Sequence, residues 1–216
     1  MRSNSMKKCV TGALLFGGTL GGAAGANGAL VNWNCNIAFS HNSTNYGTYI
    51  DVIGQQAQTT AAYTNATIPY ALHLWGSGST LAVNGNSSAS TFLGSAAVKA
   101  PTGTSGAASL AIGTVVGSAQ AWATLGASID KTTTGYSWTN AAGNTNYVGF
   151  RMKNAGGATL YGWAKITLNS GSYRNGTVTQ IVYDDSGASV TVGTVPAPGA
   201  LALLGVAGIV GSRRRR

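Results

Sequence analysis

Leu160-Tyr161-Gly162-Trp163-Ala164-Lys165-Ile166-Thr167-Leu168 is the stretch that decides the fold class. Leu160, Gly162, Ala164, Ile166 and Leu168 fall on one side of an extended chain, and Tyr161, Trp163, Lys165 and Thr167 on the other. Side chains alternate across a β-strand, so this pattern predicts a half-buried antiparallel strand. Just upstream, Tyr147-Val148-Gly149-Phe150-Arg151-Met152-Lys153 repeats it, with Val148, Phe150 and Met152 inward. Asn154-Ala155-Gly156-Gly157-Ala158 lies between them and has turn chemistry, so the two strands are expected to pair as a hairpin.

Working outward, short apolar runs between Gly and Asn clusters predict further strands at 47–53, 68–75, 81–83, 110–116, 119–125, 177–183 and 189–192. No stretch of the body carries a clean helical period with caps. About nine strands in a body of this length suit a two-sheet antiparallel β-sandwich of the jelly-roll or lectin-like kind.

Composition narrows the chemistry. Charged residues are 8% of the chain, against about a quarter in ordinary globular proteins, and 32 of 216 residues are Gly. There is no Glu; the acids are Asp51, Asp130, Asp184 and Asp185. A hydrophobic content of 44% is too high for a disordered chain, and wet helical faces built from Lys and Glu are not available. The net charge of +9 suggests a nucleic-acid binder until the positions are considered. Arg2, Lys7 and Lys8 lie at one end and Arg213 to Arg216 at the other. The body holds Lys99, Lys131, Arg151, Lys153, Lys165 and Arg174 against four Asp, too sparse a basic surface to displace counterions from phosphates. No nucleic-acid partner is expected.

Residues 1–26 have the three parts of a secretory signal peptide. Met1–Lys8 is positive, 9–24 is small and apolar, and Ala24-Gly25-Ala26 fits the small-x-small cleavage pattern, which puts the mature start at Asn27. Cys9 would leave with the signal. Cys35 would then stand without an intramolecular disulfide partner, so the body must rely on its core.

At the other end, Val195-Pro196-Ala197-Pro198 is followed by an apolar run over 199–212 and then by Arg213, Arg214, Arg215 and Arg216. The prolines end any preceding strand and allow a helix to start after Pro198. Fourteen residues of helix reach about 21 Å, short of a hydrocarbon core about 30 Å thick, so the arginines are expected to snorkel to the interface. The positive-inside rule keeps them cytoplasmic and places the body, 27–194, outside. This order of motif, short apolar helix and terminal Arg cluster resembles the PEP-CTERM sorting signal of Gram-negative bacteria, with Ala197 where that family usually has Glu. The resemblance implies recognition by an exosortase, a membrane cysteine protease, in a host that makes extracellular polysaccharide. The Tyr147-Val148-Gly149-Phe150-Arg151 and Tyr161-Gly162-Trp163-Ala164 strands also resemble the ectodomains of many proteins sorted this way, which implies an exported β-sandwich and no particular activity.

Little in the body points to chemistry. His41 and His73 are isolated and, with one Cys, give no zinc-ligand spacing. A Gly-x-Ser-x-Gly elbow is missing, and four Asp are a thin supply for glycoside hydrolysis. Asp184-Asp185-Ser186-Gly187 reads as a turn, with calcium donation as the rival reading. No catalytic, cofactor-binding or metal-ligating set is therefore named, and the chain is not expected to be an enzyme. Exposed aromatic rings can stack on sugars, which makes Trp75, Tyr161 and Trp163 the candidate glycan contacts.

The expected function is that of an exported envelope or extracellular-matrix protein with a structural or adhesive role, held in the inner membrane by its tail before processing and in contact with extracellular polysaccharide. A lectin-like carbohydrate-binding module is the alternative. A hydrolase using His73 with Asp51 or Asp130 is the second.

Overall fold

The computed structural model describes residues 29–40, 47–60, 69, 71–77, 80–83, 96–98, 106–123, 127–129, 131 and 134–195. The strands are β1 (Leu30–Ser40), β2 (Gly47–Asp51), β3 (Gln56–Thr60), β4 (Leu72–Ser77), β5 (Thr80–Val83), β6 (Ala96–Val98), β7 (Val115–Val116), β8 (Trp122–Ala123), β9 (Ala127–Ser128), β10 (Asn146–Lys153), β11 (Thr159–Leu168), β12 (Asn175–Asp184) and β13 (Val190–Thr191). The described residues contain no helix, hence none long and apolar enough to cross a membrane.

β1-β12-β11-β10-β6-β8 form one sheet, β3-β2-β4-β5-β9 a second, and β13-β7 a two-stranded ladder. Every pairing of named strands is antiparallel. The expected hairpin is present, with Val148 opposite Ala164 and Arg151 opposite Tyr161. Its turn is closed by Asn154, whose backbone N–H donates to the Ala158 carbonyl and whose Oδ1 accepts from the Ala158 N–H, each at 3.0 Å.

The two large sheets share one core. Trp33, Phe39, Phe150, Met152, Ile166 and Ile181 from the six-stranded sheet meet Ile50, Leu72, Leu74, Leu81 and Val83 from the five-stranded one. Each such side chain contributes about 1.5–3 kcal/mol by leaving water, and together they make the molecule an all-β, sandwich-like body. Close approach explains Gly162 on the central strand. A Cβ there would lie 2.5 Å from the Val182 carbonyl oxygen and 2.6 Å from Phe150 Cζ. Cys35 is a buried thiol in the same core, its S–H donating to the Val178 carbonyl at 3.3 Å.

A second, smaller core lies on the opposite face of the six-stranded sheet. Val98, Trp163 and Val182 are roofed there by Ala108, Leu110 and Val116 and by Val190 and Val192. The β7–β13 ladder fastens this roof: Val116 pairs with Val190, and the Val192 N–H donates to the Thr114 carbonyl at 2.9 Å. The roof presses so closely that a Cβ on Gly149 would meet Val98 Cγ2 at 2.7 Å and both Leu110 Cδ1 and Val116 Cγ2 at 2.9 Å.

Several expectations are corrected. β1 was not among the predicted strands, because Asn32, Asn34 and Asn36 interrupt its apolar residues and Asn has low strand propensity. It nevertheless lies along nearly the whole of β12, with a bulge between Asn34 and Ile37. The polar β3 and the short β6 and β9 were missed likewise. Conversely, among the described residues 110–116 and 119–125 hold only the two-residue strands β7 and β8, with Leu110, Val116 and Trp122 packed in or against the second core.

Candidate functional site

The second core covers only the middle of the outer face of the six-stranded sheet. At its margin, three half-buried side chains from three strands meet. Arg151 of β10 stands directly opposite Tyr161 of β11. Its guanidinium lies over the ring of Trp122 of β8, with the guanidinium carbon 5.1 Å from the ring centroid. The Trp122 and Tyr161 rings are 5.9 Å apart and tilted by 31°. Alternation along β10 puts Lys153, which is exposed, on this same face. Among the described residues Arg151 has no carboxylate partner, and its side-chain contact is the Trp122 ring. An indole face attracts a guanidinium electrostatically without using its N–H donors. The group is therefore oriented, with its hydrogen-bonding capacity still available.

The sequence-expected glycan contacts fare differently. Tyr161 belongs to this margin. Trp163 does not: it is 1% exposed beneath the roof, with Tyr147 edge-on at 5.7 Å and 73°. That corrects its selection as a glycan contact, because the roof from 108–116 and 190–192 occupies the surface a sugar would need. Trp75, half-buried, lies on the other sheet in an aromatic stack. Tyr49 and His73 pair across β2 and β4 with ring centroids 4.0 Å apart and nearly parallel, and His73 is followed by Trp75 at 6.1 Å. Tyr49 and His73 are both 0% exposed. Trp122 was not singled out from the sequence. Its predicted strand was legible, but not which face it presents, since that depends on β8 pairing with β6 so that Trp122 stands opposite Val98.

The acids among the described residues sit in turns and at strand ends, and none pairs with Arg151. Asp51 caps the turn after β2, with Oδ1 accepting the Gly54 N–H at 2.8 Å. Burial pushes its carboxyl above the ordinary value, against the N–H groups of Gly54 and Ile53 that favour the charge. The Tyr183 phenol is also raised, by burial and then by the charges of Asp185 and Asp51, which places these groups at one end of the sandwich. Asp184 closes the turn predicted at 184–187. Its Oδ1 accepts from the Ser186 N–H at 2.9 Å, the Ala188 N–H at 3.1 Å and the Ser186 hydroxyl. Burial works against its charge, but these bonds, with that of Gly187, win and hold the carboxyl below the usual range. Asp185 Oδ1 accepts the Ala29 N–H at 2.7 Å. Among the described residues no three His, Cys or Asp side chains gather as a metal set.

Val195, first residue of the expected sorting motif, is exposed at 43%, one residue after the turn in which the Thr194 N–H donates to the Thr191 carbonyl. Pro196, Ala197, Pro198, the apolar run, Arg213–Arg216, Ala24 and Ala26, together with His41 and Asp130, lie outside the described residues.

Fold and site together define an all-β, sandwich-like protein with an aromatic and cationic patch at the margin of one sheet. No protein-family model, no curated protein and no solved structure matches the chain.

Proposed function

We propose that this chain is an exported envelope or extracellular-matrix protein with a structural or adhesive role, sorted through residues 195–216 by an exosortase-type membrane protease. The observation that carries the reading is the order in that stretch: a Val-Pro-Ala-Pro motif, then an apolar run, then four arginines. The signal-like charge and apolar pattern of 1–26 agrees with it. So does the exposure of Val195, which lets a processing enzyme reach the motif without unfolding the body. On this reading the tail is a short helix lodged in the inner membrane before cleavage, and the jelly-roll or lectin-like body acts by its surface, at the cell surface or in the polysaccharide matrix.

Terminal mass spectrometry of the protein recovered from its host's surface fraction tests the proposal. The expected mature form starts at Asn27 and lacks Arg213–Arg216. An intact arginine terminus in that fraction overturns it.

A further inference from the structure

We infer that the margin formed by Trp122, Arg151 and Tyr161 is a binding site for a carboxylate-bearing sugar polymer, of the polyuronate class. Arg151 is half-buried. A half-buried guanidinium ordinarily has a carboxylate or several carbonyls around it. Here, among the described residues, its neighbour is an aromatic face. A cation held on an indole keeps its planar fork of donors open, and that fork matches a carboxylate in two parallel hydrogen bonds.

Trp122 and Tyr161 are part-exposed, tilted toward one another, and immediately beside the cation. Part-exposed aromatic rings offer an apolar face, which suits the C–H face of a pyranose ring. A neutral sugar would use the rings and leave Arg151 without a role. A free carboxylate would use Arg151 and leave the rings without one. A uronic acid residue engages both, because its carboxyl is attached directly to the pyranose.

Position and charge agree. Lys153 adds a second cation on the same strand and face. Asp184 follows Tyr183, the β12 partner of Gly162, and its charge is turned inward to its own turn, with the residue 5% exposed. The two strands that carry Arg151 and Tyr161 are stiffened by the cores on both faces of their sheet, so the site is preorganised and does not need to fold on binding. The inference deepens the adhesive role proposed above and rests on it only for the setting. Failed binding leaves the sorting reading intact, and uncut termini leave the site intact.

The test uses the full chain in a detergent without a sugar headgroup, titrated with oligogalacturonate and with a neutral gluco-oligosaccharide of equal length, followed by tryptophan fluorescence and calorimetry. Oligogalacturonate is expected to bind and to perturb tryptophan emission, more weakly as salt rises, while the neutral oligomer binds at least about tenfold more weakly. Arg151→Gln should lower oligogalacturonate affinity by about tenfold or more. Arg151→Lys, which keeps the charge and loses the fork, should fall between. Lys165→Gln, on the same face but remote along β11, should bind as the parent does. Equal binding of the two oligomers, unchanged affinity in Arg151→Gln, or no binding of oligogalacturonate each overturns the inference.

Discussion

Asp184 and Asp51 carry the same side chain and sit at turns after adjacent parts of the fold, yet the structure moves their protonation in opposite directions. Asp184 is held below its ordinary value of 3.8 because donors converge on Oδ1. A carboxyl depressed in the folded state adds stability above the unfolded value, and that stability is lost as pH falls through the folded one. Asp51 is held above 3.8 by burial, so its contribution has the reverse sign, present at low pH and lost as pH rises. Urea unfolding of Asp184→Asn should therefore show a loss of about 1–3 kcal/mol at pH 7 that shrinks toward pH 3. Asp51→Asn, which keeps a carbonyl acceptor for the Gly54 N–H, should gain stability at pH 7 and converge on the parent in acid. Parallel pH curves for parent and both variants would refute the assignment. The turn at Asp184 was legible from two Asp and a Gly within four residues; its inward carboxylate was not, because that depends on where Ser186 and Ala188 fold back.

Among the elements, β10 and β11 explain most of what the chain announces about itself. Their alternation is long and clean, and the turn between them has the Asn and Gly that a reversal needs. The pairing and the inward face followed from local pattern. The same pattern misled about the outer side: Tyr161, Trp163 and Lys165 read as a wet face, whereas the roof buries Trp163. Roof residues come from 108–116 and 190–192, far from β11 along the chain, so no local window could show them. Gly162 is the position where element and packing constrain each other most tightly. Gly162→Ala would press a methyl into the Val182 carbonyl and the Phe150 ring, and the backbone partner cannot rotate away. The expected cost is about 1–3 kcal/mol or more, read as a lower urea midpoint with an unchanged slope. A variant as stable as the parent would show that the β11–β12 spacing is looser than described.

At the scale of the whole molecule, charge is placed with economy. Much of the basic charge lies in the two ends, and three of the four acids gather in turns at one end of the sandwich. A body so low in charge is rich instead in hydroxyls, amides and a few rings. The sorting proposal adds a direction: with the arginines retained inside, the body faces outward. A reporter enzyme inserted ahead of Val195 and active only in an oxidising compartment should be active in the host and inactive when residues 1–26 are deleted. An inactive reporter in the full-length fusion would remove the basis for any extracellular role.

What the sequence determined by itself was local and periodic: an all-β body, the β10–β11 hairpin, the turn at 184–187, and an end-to-end order of charge and apolar residues. These follow from alternation, turn chemistry and composition, which a single stretch of chain contains in full. Tertiary structure alone decided which face of a strand is wet, because burial is a property of two surfaces brought together. It sent Trp163 under a roof and left Trp122 at the margin beside Arg151 and Tyr161. It also recruited the Asn-rich β1 to the sheet, where backbone pairing with β12 outweighed weak intrinsic preference.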